Sequence, residues 1–150
     1  MNTVAGPFLL LAGLGFLLSL TAHFLALLGK PCPGGELVWL LHLGVFAVWV
    51  PTIILSRRRL RDVSQTKQME ALWADCPAWM RWAIRIVFVY AIVNFLLFMA
   101  TTTATPKLKP RGTPPPAVIR GFSGHWMVFY GAAFVTFYSR VRKFGQVAKR

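Results

Sequence analysis

The chain has 150 residues, enough for one domain, and 56% of them are hydrophobic while only 14% are charged. Soluble domains carry about a quarter charged residues, so this composition excludes an ordinary water-soluble fold and predicts a polytopic membrane protein. The net charge of +13 comes from 17 Lys and Arg against 4 Asp and Glu. These charges sit between apolar runs and no aromatic–basic motif accompanies them, which points to anionic lipid headgroups and topology signals and away from nucleic acid.

In chain order, Pro7 suits the first turn of a helix, and residues 8–28 form a charge-free run about 30 Å long as a helix. It is too long, and its start too poor in basic residues, for a signal peptide, so a retained span is expected. Gly15, Ser19 and His23 recur every fourth residue and give this helix a small, polar face. A Pro- and Gly-rich turn, residues 29–35, separates it from a second span over residues 37–55, with Pro51 near its end and Trp39 and Trp49 as candidate interface anchors.

Arg57, Arg58, Arg59 and Arg61 follow at once. Ser64 is a candidate cap for a short interfacial helix over residues 64–74, with Met69, Leu72 and Trp73 on one side; a solvated loop is the equal alternative. Asp75 and Pro77 read as a helix start, and a third span is expected over residues 80–101 with Asn94 as its one strongly polar interior side chain. Residues 102–118 hold five prolines and read as an extended, semi-rigid loop. The fourth span, residues 120–139, has two stripes: Gly121, His125, Val128, Ala132 and Thr136 on one, and Phe122, Trp126, Tyr130, Phe134 and Phe137 on the other. A basic tail, residues 140–150, contains Arg140, Arg142 and Lys143.

The fold class expected is therefore all-α, a single transmembrane domain built as an antiparallel four-helix bundle. Four spans put both termini on one side, together with 12 basic residues against five on the other. The positive-inside rule then predicts N-in, C-in, with Arg57, Arg58, Arg59, Arg61, Arg140, Arg142 and Lys143 as topology and lipid contacts. On this topology Cys32 and Cys76 lie on opposite sides and cannot pair.

His23, His42, Asn94 and His125 all fall roughly 7–11 Å below one membrane boundary, at 1.5 Å per residue. Intramembrane polar residues face the bundle interior and often mark a site. These four are the candidate cofactor residues, and the three histidines are the candidate metal ligands. Haem b between two imidazoles, a transition metal, or a quinone hydrogen-bonded to histidine would each suit such a layer. In architecture alone the arrangement resembles four-helix haem-binding membrane cytochromes. The competing expectation is that each imidazole only bonds a neighbouring helix, with Ser19, Thr21, Ser123 and Asn94 at hand.

Glu36, Asp62, Glu70 and Asp75 all lie at or outside the span boundaries, which disfavours a cation-coupled transporter built on buried carboxylates. No nucleophile–base spacing, phosphate loop or zinc-protease helix is present in the sequence. The leading expectation is a non-catalytic accessory or scaffold subunit that meets a membrane protein partner or a second copy of itself. The alternative is an electron-transfer protein with a histidine-ligated haem, metal or quinone.

Overall fold

The computed structural model describes residues 5–101 and 113–147. Among them the chain is helical: α1 (Ala5–Leu27), α2 (Leu40–Leu60), α3 (Gln68–Leu72), α4 (Ala78–Thr101) and α5 (Pro116–Val147). Short 3₁₀ turns precede α2 (Gly35–Trp39) and α3 (Gln65–Lys67). Among the described residues three segments are long and apolar enough to cross a membrane: Ala5–Leu27, Gly35–Leu60 and Ala78–Thr101.

Helix α1 starts with Pro7 in its first turn, where a missing N–H costs nothing. It ends on Gly29, whose φ of +67° is open to a residue without Cβ. The amides of Gly29 and Lys30 turn back to the carbonyls of Ala26 and Leu25, and so satisfy two otherwise free acceptors. Its buried residues are almost all small. Ala5, Ala12, Ser19 and Ala26 recur every seventh residue, with Gly15 and Ala22 between them. A small-residue seam at heptad spacing brings two backbones close.

That seam packs on α5, which is the hub: α1, α4 and α2 all lie against it. The pairs fix directions. Phe8 stacks on Phe137 at 5.6 Å while His23 reaches Ser123, so α1 and α5 are antiparallel. Cys76 meets Val135 and Asn94 meets Arg120, so α4 also runs against α5. His42 meets His125 and Trp49 meets Phe129, so α2 runs with it.

Both stripes of α5 are covered, including the ring stripe, with Trp126 and Phe137 fully buried and Tyr130 nearly so. Val128 and Ala132 on the small stripe are only half-buried, but the ring stripe is enclosed by the other helices, so its rings serve as core. For the same reason α5 carries Ser123, His125, Thr136 and Ser139, polar groups that neighbouring helices can satisfy. The outward faces of α1, α2 and α4 are apolar, with Leu10, Leu17, Phe24, Leu43 and Leu96 among their most exposed residues.

Several boundaries move. Helix α2 runs through Pro51 to Leu60, which puts Arg57, Arg58 and Arg59 in its last turn, where the helix dipole favours cations. Trp49 therefore lies midway along the helix and packs on Phe129 at 5.0 Å rather than anchoring an end. Pro116 opens α5, as a residue with no N–H can at a first helical position, so the Pro-rich segment ends earlier than its composition suggests. The short helix after Arg61 is present, but Ser64 makes no side-chain cap bond to it. Most of the Pro-rich loop, the Lys143 side chain and the end of the tail lie outside the described residues.

Candidate functional site

Asn94 and the three histidines all meet one stretch of α5, from Arg120 to Trp126, about 9 Å long at 1.5 Å per residue. They do not converge on one point. Ser123 and His125 are two residues apart and so face roughly opposite sides of α5. His23 and Asn94 gather on the Ser123 side, and His42 on the His125 side.

On the first side, His23 is buried between α5 and α4. Its Nδ1 lies 2.7 Å from Ser123 Oγ and its Nε2 lies 2.5 Å from Tyr90 Oη. Ser123 Oγ itself donates to the carbonyl of Arg120 at 3.4 Å. A hydroxyl that donates there accepts from His23 Nδ1–H, which leaves Nε2 to accept from Tyr90. Asn94 Nδ2 donates to the same Arg120 carbonyl at 2.8 Å. Tyr90 precedes Asn94 by one helical turn, so the two share a face of α4. The result is a continuous path of hydrogen bonds from α4 through α1 to α5.

On the second side, Trp126 Nε1–H donates to His42 Nδ1 at 3.0 Å. An indole can only donate, so Nδ1 of His42 is an acceptor and the imidazole carries its proton on Nε2. His125 Nε2 approaches the same nitrogen at 3.4 Å, and the two rings stand edge to face at 5.4 Å. Rings enclose this pair: Phe122 and Phe129 lie against His125, and Phe46 against His42. Tyr130 sits one turn further along α5 and donates to the Leu41 carbonyl at 2.8 Å.

Among the described residues, no group of three or more His, Cys, Asp and Glu side chains is placed to hold a metal ion. The one close imidazole pair is His42 with His125. Sequence reasoning passed over Tyr90, although its i, i+4 relation to Asn94 was legible. It also passed over Trp126 as a hydrogen-bond donor.

At the other end of the molecule, where α2 carries its arginines, a second feature opens. A cleft of about 990 Å³ lies between α2 and α4 with α5 as its floor. Val128, Ala132 and Thr136 form the floor, Trp49, Thr52 and Ile53 one wall, and Phe88 and Val89 the other. Helix α3 closes the basic end with Gln68, Met69 and Leu72. The expected apolar side of the short surface helix is therefore turned into the protein.

The segment after α3 is clamped onto the core. Trp73 Nε1 donates to Thr136 Oγ1 at 3.3 Å, and Cys76 Sγ donates to the Val135 carbonyl at 3.3 Å. Arg59 is a member of the basic cluster that turns inward. Its guanidinium pairs with Asp75 at 2.9 Å and reaches Ser139 Oγ and the Leu72 carbonyl. Arg57 instead lines the cleft, while Arg58, Arg61 and Arg142 are exposed and Arg140 is half-buried. Both cysteines are free. Burial pushes the Cys76 thiol above its usual range, with the Asp75 carboxylate adding to the shift against the opposing bonds from Ser139 and the charge of Arg81.

Comparison with protein-family models, curated proteins and solved structures gives no match.

Proposed function

We propose that this chain is a four-span integral membrane protein, N-in and C-in, that serves as a non-catalytic accessory or scaffold subunit of a membrane complex. The observation that carries the reading is the use of its histidines. Each imidazole bonds a residue on another helix, and in each case the bond joins an outer helix to α5. That is how polar groups hold membrane helices together. The packing supports a fourth span in this reading: residues 121–139 of α5 carry no charge and lie amid three apolar helices, as a helix that shares their slab of lipid would. The arginines of α2, the α3 segment and the end of α5 share one end, and the positive-inside rule puts that end in the cytoplasm. Anionic headgroups and a membrane protein partner or a second copy are the partners this reading calls for.

Extraction of the full chain in mild detergent, followed by native mass measurement, is the test. A stoichiometric complex with another membrane protein or with itself is expected. A strictly monomeric species carrying no partner overturns the reading.

The 3.4 Å approach of His42 and His125 supports one second reading, an electron-transfer protein with a metal or haem at that pair. It requires an absorbance band or bound metal in protein from cofactor-replete cells, lost in His42→Ala and in His125→Ala. Colourless, metal-free protein removes it.

A further inference from the structure

We infer that the cleft between α2 and α4 is a binding site for one anionic glycerophospholipid of the leaflet next to the basic loop. Its acyl region lies against α5 and its phosphate lies between Arg57 and Arg85.

The height of the cleft decides what class of occupant fits. Its α2 wall runs from Trp49 to Leu60, about 17 Å of helix at 1.5 Å per residue. The hydrocarbon core of a bilayer is about 30 Å thick, so the cleft serves one leaflet. It stops at mid-membrane because rings fill the space beyond: Trp49 packs on Phe129, and Phe129 on His125. Helix α3 closes it at the membrane surface. A partner transmembrane helix needs a groove through both leaflets, and this groove is blocked at both ends. A lipid tail needs one leaflet and an opening at the side, and the parting of α2 from α4 supplies that opening.

The chemistry of the walls agrees. The interior is almost wholly carbon. Of the three hydroxyls that line it, Thr52 and Thr136 are spent on the carbonyls of Val48 and Ala132, at 2.7 and 2.8 Å, and Ser56 lies next to Arg57 towards the basic end. Deeper than Ser56 the side-chain donors are spent within the protein, so an apolar chain lying there meets little polar penalty. Charge is confined to one guanidinium on each wall, Arg57 from α2 and Arg85 from α4, and no carboxylate lines the cleft. Arg85 is held over the Trp82 ring at 5.2 Å, a cation–π contact that also suits the headgroup region. Two cations flanking the mouth of an apolar slot are complementary to a phosphate on a hydrocarbon chain. Arg59 takes no part, because Asp75 already neutralises it.

This inference rests on the bilayer location alone. It concerns retained lipid, whereas the accessory role concerns retained protein, so either can fail without the other.

The test uses the full chain in detergent with phosphatidylglycerol and phosphatidylcholine of identical acyl chains, read by native mass spectrometry and by titration. One phosphatidylglycerol per chain is expected, in clear preference to phosphatidylcholine. The double variant Arg57→Gln, Arg85→Gln is expected to bind phosphatidylglycerol about 30-fold more weakly, from the usual worth of two headgroup cations. Val89→Trp fills the cleft from an exposed wall position that the fold does not need, and is expected to abolish retention with both arginines intact. Arg61→Gln, which removes a general headgroup contact of the same rim, and Leu96→Trp, both outside the cleft, are expected to leave the one retained phosphatidylglycerol in place. Equal retention of the two lipids overturns the proposal, as does an unaffected Val89→Trp or an Arg61→Gln loss that matches the double variant.

Discussion

Trp126 donates its indole N–H to Nδ1 of His42 at 3.0 Å, and this bond ties α5 to α2 through a residue with no exposed surface. Polar bonds between membrane helices are individually modest, averaging about 0.6 kcal/mol with a maximum near 1.7. A double-mutant cycle isolates the pair. Trp126→Phe and His42→Ala are each expected to lower stability in detergent, with a coupling of roughly 0.6–1.7 kcal/mol. Tyr138→Phe, on a half-buried residue stacked on Phe134, is expected to show no coupling to His42→Ala. Equal coupling in both cycles would mean that the polar layer is not special.

Tyr130 is set between two glycines, Gly15 of α1 and Gly44 of α2, at positions where a Cβ would strike it. The collisions differ in kind. At Gly44 the Cβ meets the hydroxyl, and at Gly15 it meets the ring itself. Gly15→Ala and Gly44→Ala are each expected to cost about 1–3 kcal/mol by overpacking. Tyr130→Phe is expected to relieve much of the Gly44→Ala penalty and little of the Gly15→Ala penalty. Thermal unfolding of the three single and two double variants checks this, and equal relief at both sites would contradict the placement of the ring.

These two relationships show where sequence reading reached and where it stopped. The apolar runs and the glycine–proline turn located the starts of the long helices to within about four residues, because a charge-free run is written directly in composition, whereas α2 and α5 continue past the expected ends at residues 55 and 139 into basic sequence that composition marks as a boundary. The polar layer was legible too, since depth follows from counting residues along a helix. Which side of α5 each imidazole takes was not legible, because it depends on the order of helices around that hub. The cleft was hidden for a related reason. Met69 and Leu72 read equally well as membrane-facing, and only the gap between α2 and α4 turns them into the wall of a pocket.

The pair of Arg59 with Asp75 is expected to hold the α3 segment on the core. Both side chains are largely covered, at 17% and 26% exposure, so the bond is worth more than an open surface pair. Arg59→Gln is expected to cost about 1–2 kcal/mol and to raise cleavage between residues 61 and 77 in limited proteolysis. Arg61→Gln, on an exposed neighbour, is expected to change neither. If the two variants are cleaved alike, the clamp does not determine the order of the loop.

Cys32 and Cys76 offer a test that depends on pH. Burial pushes the pKa of both thiols up, and Cys76 is the more deeply covered of the two. The thiolate is the reactive form, so a raised value means a smaller reactive fraction at neutral pH and a rate that keeps climbing through the alkaline range. In intact vesicles an impermeant maleimide is expected to label Cys32 and Cys76 from opposite sides, with Cys76 the slower at pH 7. The rates are expected to rise with pH past the point at which a free thiol levels off. Unfolding in denaturant should remove the delay, because the cause is desolvation. The native state holds the thiol proton more tightly than the unfolded state does, so stability falls as pH rises through the thiol range, and Cys76→Ala should flatten that slope. Labelling of both cysteines from one side would reject the four-span topology, and a slope unchanged by Cys76→Ala would place the alkaline loss elsewhere.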